Sequence, residues 1–139
     1  MVGYVSQSSQ TLEQALGTDL ATRFEGLSGL HGDGWGVASW ADGHVHTHSS
    51  PAPAGLDPAF GPALRSASSR AAFVHLRWAS DGMAVRPQNA HPFRFRSLAL
   101  CHNGGILPVE RLDALLSPGA RAALRGTTDS ERYLHHIVD

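Results

Sequence analysis

Three short segments of the sequence carry side chains that could together bind a small, charged, amide-bearing molecule. Arg77 and Trp78 end an apolar segment, and the planar guanidinium group of an arginine can donate two parallel hydrogen bonds to a carboxylate. Asn103 and Gly104 follow a second apolar segment, and a side-chain amide with a backbone N–H can converge on an oxyanion. Asp129 lies in the first turn of the last predicted helix, where a carboxylate could bind an ammonium group.

Each of these residues taken alone has a simpler structural explanation. An arginine at the end of a strand is usually part of a surface salt bridge, and Asn-Gly is a common turn. An acid in the first turn of a helix is favoured by the helix dipole in any protein. The functional interpretation therefore depends on the segments occurring together and in order.

Five segments in this order resemble the class II, N-terminal-nucleophile glutamine amidotransferases. They read DGWG at 33–36, HLRWAS at 75–80, NAHPF at 89–93, HNGG at 102–105 and TTDSE at 127–131. The resemblance implies that Arg77, beside Trp78, binds the α-carboxylate of glutamine and that Asp129 binds its ammonium group. It also implies an oxyanion hole formed by Asn103 and Gly104. The DGWG segment favours the compact, stand-alone members that hydrolyse γ-glutamyl amides.

The residue that should attack the amide is missing. In this family it is a cysteine directly after the initiator methionine, and the terminal α-amine serves as its base. Here that position is Val2, so we expect a domain that binds glutamine or a γ-glutamyl amide without hydrolysing it. Cys101 is the only cysteine, and its place on an apolar strand predicts an inert, buried thiol.

Composition predicts a single domain over 1–139, with 42% hydrophobic residues and a net charge of -1. All 11 basic residues are arginines, which excludes Schiff-base lysine chemistry and a Walker lysine. We expect no cofactor, no metal and no nucleic-acid partner. The sequence shows neither a secretory signal nor an apolar run long enough to span a membrane, so a cytoplasmic protein is predicted.

The hydrophobic pattern predicts an α+β fold rather than a doubly wound sheet, because strands and helices do not alternate regularly. Strands are predicted at 2–6, 35–40, 43–48, 71–78 and 97–102, and a long irregular loop at 81–93. Helices are predicted at 11–24, 57–69, 107–116, 120–124 and 128–139, the first and last with capping boxes. The resemblance implies an αββα sandwich of antiparallel sheets, which would here be shortened at its C-terminus.

Three further interpretations remain open. A shortened sandwich could be a non-enzymatic interaction module, completed by a second copy or by another chain through an open sheet edge. His44, His46 and His48 alternate along one strand and could hold a metal, although a solvated strand explains them more simply. His91 could be a base or a ligand, but a structural histidine with satisfied ring nitrogens is the favoured interpretation.

Overall fold

The computed structural model describes residues 1–66 and 68–139 and contains a four-stranded antiparallel sheet as its main element. Its strands, in the spatial order β1-β4-β2-β3, are the following: β1 (Val2–Gln10), β4 (Ser69–Leu76), β2 (Trp35–Ala41) and β3 (His44–Ser50). β2 and β3 form a hairpin in which Asp42 and Gly43 have positive φ angles of 54° and 76°, as a tight two-residue turn requires. In this order β4 and β2 each have a strand on both sides, so they are the central strands and can carry buried residues on both faces.

Three helices cover one face of this sheet: α1 (Leu12–Leu16), α2 (Thr18–Gly26) and α3 (Phe60–Ser66). Trp35, Phe60 and Val74 are at most 1% exposed and form the centre of the core. The Trp35 ring packs edge-on against Phe60 at 5.2 Å, and its Nε1 donates to Asp57 Oδ2 over 3.0 Å. This packing fixes the start of β2, where residues 33–36 lie beside the end of β4.

The opposite face of the sheet is apolar and open to solvent. Because side chains alternate along a strand, Phe73 of β4 and Ala38 of β2, which are paired, lie on this face. With neighbouring residues they line a shallow cavity of about 420 Å³. Val5 is 89% exposed and Trp40 43% exposed at the same surface.

The C-terminal part supplies a two-stranded antiparallel sheet, β5 (Phe93–Phe95) with β6 (Leu98–Leu100), and three helices. These helices are α4 (Val109–Leu115), α5 (Pro118–Ala122) and α6 (Asp129–Val138). Single turns of 3-10 helix lie at Leu27–Gly29, Ala54–Leu56 and Pro87–Asn89. Within the described residues, no helix has the length and apolar character needed to cross a membrane.

The predicted α+β class is confirmed by these antiparallel sheets and flanking helices. The helix predicted at 11–24 is wrong as a single element, because Gly17 adopts a φ of 75° and separates α1 from α2. Leu20 is consequently 47% exposed and does not join the apolar stripe. The first capping box is present as predicted, with Thr11 and Gln14 bonded reciprocally.

The second capping box is only half formed. Thr128 Oγ1 accepts from the backbone N–H of Glu131 over 3.1 Å, but the Glu131 carboxylate turns away. It accepts from the backbone N–H groups of Arg125 and Gly126 instead.

Several predicted element boundaries differ from those observed. β5 begins at the end of the predicted loop 81–93, and β6 is shorter than the strand predicted at 97–102. The helix predicted at 57–69 forms only as α3. Ala67, within that predicted helix, lies outside the described residues.

Candidate functional site

A polar cavity of about 90 Å³ brings together five of the six residues selected from the sequence. It lies where β4 ends, beside the loop that follows β6 and the start of α6. The five residues are Arg77, Trp78, Asn103, Gly104 and Asp129. They come from three segments that are far apart in the sequence, so their convergence results from the tertiary fold.

Arg77 is buried, with 4% of its surface exposed, and is held by the backbone of the 33–36 segment. Its Nη1 donates to the carbonyl oxygen of Asp33 over 3.2 Å, and its backbone N–H donates to Gly34 O over 2.8 Å. Burial lowers the pKa of the guanidinium group, and the charge of Asp33 partly opposes this. No carboxylate lies within ion-pair distance of it in the described chain. A buried cation in this state is poised to bind an anion.

Asp129 lines the same cavity from the start of α6, and local hydrogen bonds fix its carboxylate. Its Oδ2 accepts from the backbone N–H of Ile106 over 2.7 Å and lies 4.0 Å from His102 Nδ1. Ser130 Oγ donates to Oδ1 over 3.3 Å and also lies 3.1 Å from His102 Nδ1. The carboxylate is thus oriented by neutral donors and retains its capacity to accept from a cation.

Asn103 and Gly104 lie in the exposed loop between β6 and α4. Gly104 has a φ of 138°, a backbone conformation that only glycine adopts without strain. A Cβ added there would lie 3.4 Å from His102 Nε2. This conformation places the Asn103-Gly104 peptide at the cavity rim.

Val2 does not line the cavity. It pairs with Val74 across β1 and β4, and its half-buried side chain packs against the helix-covered core. Met1 lines the cavity instead and is 56% exposed. Val2, where the resemblance led us to expect a nucleophile, therefore lies next to a residue of the cavity wall but directs an apolar side chain to the core.

Two buried histidines that we did not select also line the cavity. His75 and His91 are 5% and 6% exposed, and their ring centroids lie 4.7 Å apart. Burial lowers the pKa of His75 to about 4, with the nearby terminal ammonium contributing, and that of His91 to about 3. The favoured interpretation of His91 as a satisfied histidine is wrong within the part of the chain that the structure describes, because neither of its ring nitrogens has a hydrogen-bond partner there.

The sequence did contain a signal for His75, since it lies two residues before Arg77 on the strand. Side chains two apart on a strand point to the same face, so both residues could have been placed together. No comparable local signal existed for His91, because the fold of the 81–93 segment brings it there.

The 33–36 segment acts structurally. A Cβ at Gly36 would overlap the backbone carbonyl oxygen of His91, so the 81–93 segment can pass directly over β2 only because Gly36 has no side chain. Asp33 Oδ2 accepts from the backbone N–H of Ala79 over 2.8 Å and fixes the chain after Arg77.

The remaining candidate residues, Cys101 and the histidines of β3, do not line this cavity. Burial raises the pKa of the Cys101 thiol to about 12, which keeps it protonated and poorly nucleophilic at neutral pH. No group of three potential metal ligands occurs among the described residues, which include His44, His46 and His48. His48 packs edge-on against Trp35 at 5.1 Å.

Comparison with known proteins identifies the family. A family model described as class II glutamine amidotransferases matches residues 11–139, nearly the whole chain. No curated protein sequence matches the chain. The matched region contains each of the five motifs and every residue of the cavity except Met1. The chain therefore belongs to the class II glutamine amidotransferases.

Proposed function

We propose that this domain binds free glutamine or a small γ-glutamyl amide in the cavity around Arg77 and does not hydrolyse it. The observation that carries the proposal is that the buried Arg77, the oriented carboxylate of Asp129 and the Asn103-Gly104 loop line a single cavity. Those three features are complementary to the carboxylate, the ammonium group and the side-chain amide of such a ligand.

In the proposed complex the ligand α-carboxylate pairs with Arg77, whose guanidinium group has no carboxylate partner in the described chain. The α-ammonium group donates to Asp129, and Trp78, which is 67% exposed, covers the ligand from the solvent side. The side-chain carbonyl points to the Asn103 amide and the Gly104 N–H. Each donor of this kind lowers the barrier to amide attack by about 3 kcal/mol when a nucleophile is present.

The absence of hydrolysis follows from Val2 and Cys101. A valine side chain has no atom that can attack a carbonyl, and the Cys101 thiol stays protonated because burial raises its pKa to about 12. Removing the nucleophile of a comparable hydrolase lowers kcat by roughly six orders of magnitude. We therefore assign this chain a binding role rather than a catalytic one.

Met1 controls the space available to the ligand. The cavity of about 90 Å³ includes Met1 in its wall and is smaller than the roughly 300 Å³ at the lower end of ordinary ligand pockets. Removing Met1 would widen the cavity and place the free amine of Val2 beside it. The proposal thus includes a ligand-binding form that begins at Val2.

Isothermal titration of the Met1-free chain with L-glutamine tests the proposal. Asp129→Asn and Arg77→Lys should each weaken binding at least about tenfold, because the first removes a charge and the second removes the two parallel hydrogen bonds of the guanidinium group. Asp19→Asn and Arg111→Gln change exposed residues of the same types and should leave affinity unchanged. Absence of heat at millimolar glutamine, in a chain that unfolds cooperatively, would refute the proposal.

Two finer assignments belong to this proposal. The DGWG segment supports a place among compact members that act on γ-glutamyl amides, and titration with γ-glutamyl dipeptides against glutamine would reveal that preference. The four-stranded sheet with helices on one face and the small β5–β6 sheet near its other face support an αββα arrangement.

An interaction module is the second candidate function, supported by the open apolar sheet face. Val5 and Trp40 are large apolar side chains exposed together on that face, which is typical of surfaces that bind another polypeptide. A second copy of this chain is the simplest partner. Light scattering coupled to size-exclusion chromatography should then show a dimer that Trp40→Ser converts to monomer, whereas a wild-type monomer at high concentration would exclude self-association.

A further inference from the structure

A further cavity lies on the other side of the 81–93 segment from the polar cavity around Arg77. Its volume is about 550 Å³, within the roughly 300–1,000 Å³ of small-molecule sites. Hydroxyl groups of β3 form one wall and the end of the 81–93 segment forms another. The polar residues around it are Thr47, Ser49, Gln88, Arg94, Arg96, Arg125 and Glu131.

Positive charge dominates this cavity, which we call the arginine groove. Arg94, Arg96 and Arg125 contribute three guanidinium groups, and Glu131 contributes the only carboxylate in its lining. Within the described chain, none of these arginines lies within ion-pair distance of a carboxylate. Glu131 is 5% exposed and already accepts two backbone hydrogen bonds, of 2.9 and 2.7 Å, from Arg125 and Gly126.

Local contacts orient the backbone and side chains that carry these charges. Arg94 Nε donates to the carbonyl oxygen of Arg96 over 3.3 Å, across the β5–β6 turn. The Arg96 guanidinium lies 5.1 Å from the centroid of the Phe95 ring, a favourable cation–π position. The backbone N–H of Arg125 is fixed by Glu131. Three arginines thus line one cavity beside a single carboxylate, and because like charges near one another repel, this arrangement favours the binding of an anion.

We propose that the arginine groove binds a small molecule carrying a phosphate or diphosphate group. Three guanidinium forks and the hydroxyls of Thr47 and Ser49 supply more donors than a single carboxylate can accept. A phosphate group offers three oxygens and up to two charges. Nucleic acid fits poorly, because the chain has a net charge of -1 and the arginines line a single groove rather than an extended basic surface.

The groove is separate from the glutamine cavity but shares a wall with it. Met83 and His91 of the 81–93 segment line the glutamine cavity, whereas Gln88 and Pro92 line the groove. Between them, Asn89 is fully buried and joins this segment to Thr127 through a bond of 2.9 Å. The two ligands could therefore bind at the same time, each on its own side of one fixed segment.

Titration calorimetry with inorganic pyrophosphate at about 0.1 M salt tests the inference. Arg94→Gln and Arg125→Gln should each weaken pyrophosphate binding about tenfold. The matched variant Arg111→Gln, on the exposed face of α4, should bind as the wild type does. Arg77→Lys should also leave pyrophosphate affinity unchanged, which separates this site from the glutamine cavity.

Three outcomes would overturn the inference. The first is no binding at about 10 mM pyrophosphate, since a groove with three charge-assisted contacts should reach that affinity. The second is an equal loss in Arg111→Gln, which would indicate only a general response to surface charge. The third is tighter binding of citrate than of pyrophosphate, which would show a polycarboxylate site.

Discussion

The proposed glutamine cavity around Arg77 and the arginine groove are both lined by arginine, yet these arginines are held in opposite ways. Arg77 is buried, bonded to the backbone of Asp33 and set at the end of a central strand. Arg94, Arg96 and Arg125 are exposed and belong to a short hairpin and a loop. A buried, prepositioned guanidinium favours one ligand geometry, whereas exposed ones adapt to several. We therefore expect the first site to be selective and the second to accept a range of phosphate compounds.

The largest expected effect comes from restoring the missing nucleophile. Val2→Cys, in a chain from which Met1 has been removed, should release ammonia from glutamine at a rate far above the wild type, because a thiol beside its own α-amine completes the reacting groups. A coupled glutamate dehydrogenase assay measures this. The matched double change Val2→Cys with Asp129→Asn should lose most of the gain. An inactive Val2→Cys protein that still binds glutamine would show that residues outside this chain are needed.

The 81–93 segment separates the two cavities, and a substitution at Gly36 in β2 should displace it. Gly36→Ala places a Cβ against the His91 carbonyl, and such overpacking should lower the free energy of unfolding by about 1–3 kcal/mol. Both glutamine and pyrophosphate binding should weaken, because both cavities use this segment as a wall. Gly29→Ala is the control, since no atom lies within 4 Å of its Cβ position. Unchanged affinity for both ligands in the Gly36→Ala variant would show that neither site depends on the position of the 81–93 segment.

The buried imidazoles make stability depend on pH near the first site. Burial lowers the pKa of His91 from 6.5 to about 3, so the unfolded chain binds a proton that the folded chain rejects. Stability is then fully present above pH 6.5 and is lost as the pH falls toward 3. Between neutral pH and about 4.5, His91 should account for about 2 kcal/mol of this loss.

Urea unfolding of the wild type and of His91→Phe at both pH values measures that contribution. The variant should lose less stability on acidification, and His75, whose pKa is also lowered, to about 4, should account for part of the remainder. His44→Phe changes an exposed histidine and should keep the wild-type pH dependence. Equal acid sensitivity in wild type and His91→Phe would contradict a neutral, buried His91.

The smallest effect concerns the cap that positions Asp129. Thr128→Ala removes the acceptor for the Glu131 N–H and should cost about 1 kcal/mol of stability, with a modest loss of glutamine affinity. Thr18→Ala, at an exposed position in α2, provides the comparison in thermal melts. If both variants melt at the same temperature, the cap does not hold the start of α6.

The sequence predicts best what short-range chemistry decides. The Thr11–Gln14 capping box forms as expected, because it depends on residues within a few positions. The motif order also identified which segments meet, although no local rule places Arg77 and Asp129 around one cavity. That placement rests on the packing of the whole chain.

Two predictions failed because a nearby residue changed the local pattern that they relied on. Glu131 leaves its capping partner to bind the backbone of Arg125 and Gly126, and Gly17 breaks a helix whose apolar spacing was continuous. The arginine groove was not predicted, because Arg94 and Arg125 are far apart in sequence and lie in no common motif. Arg94 lies on β5, the strand of the hairpin that was not predicted, and the fold brings it to the same cavity as Arg125.

The central claim is that Arg77 and Asp129 bind the two ends of one amino-acid ligand. A crystal structure of the Met1-free chain soaked with L-glutamine tests it most directly. We predict the α-carboxylate within hydrogen-bonding distance of the Arg77 guanidinium, the ammonium group at Asp129 and the side-chain amide beside Asn103 and Gly104. Glutamine bound elsewhere, or bound with its carboxylate away from Arg77, would contradict the account.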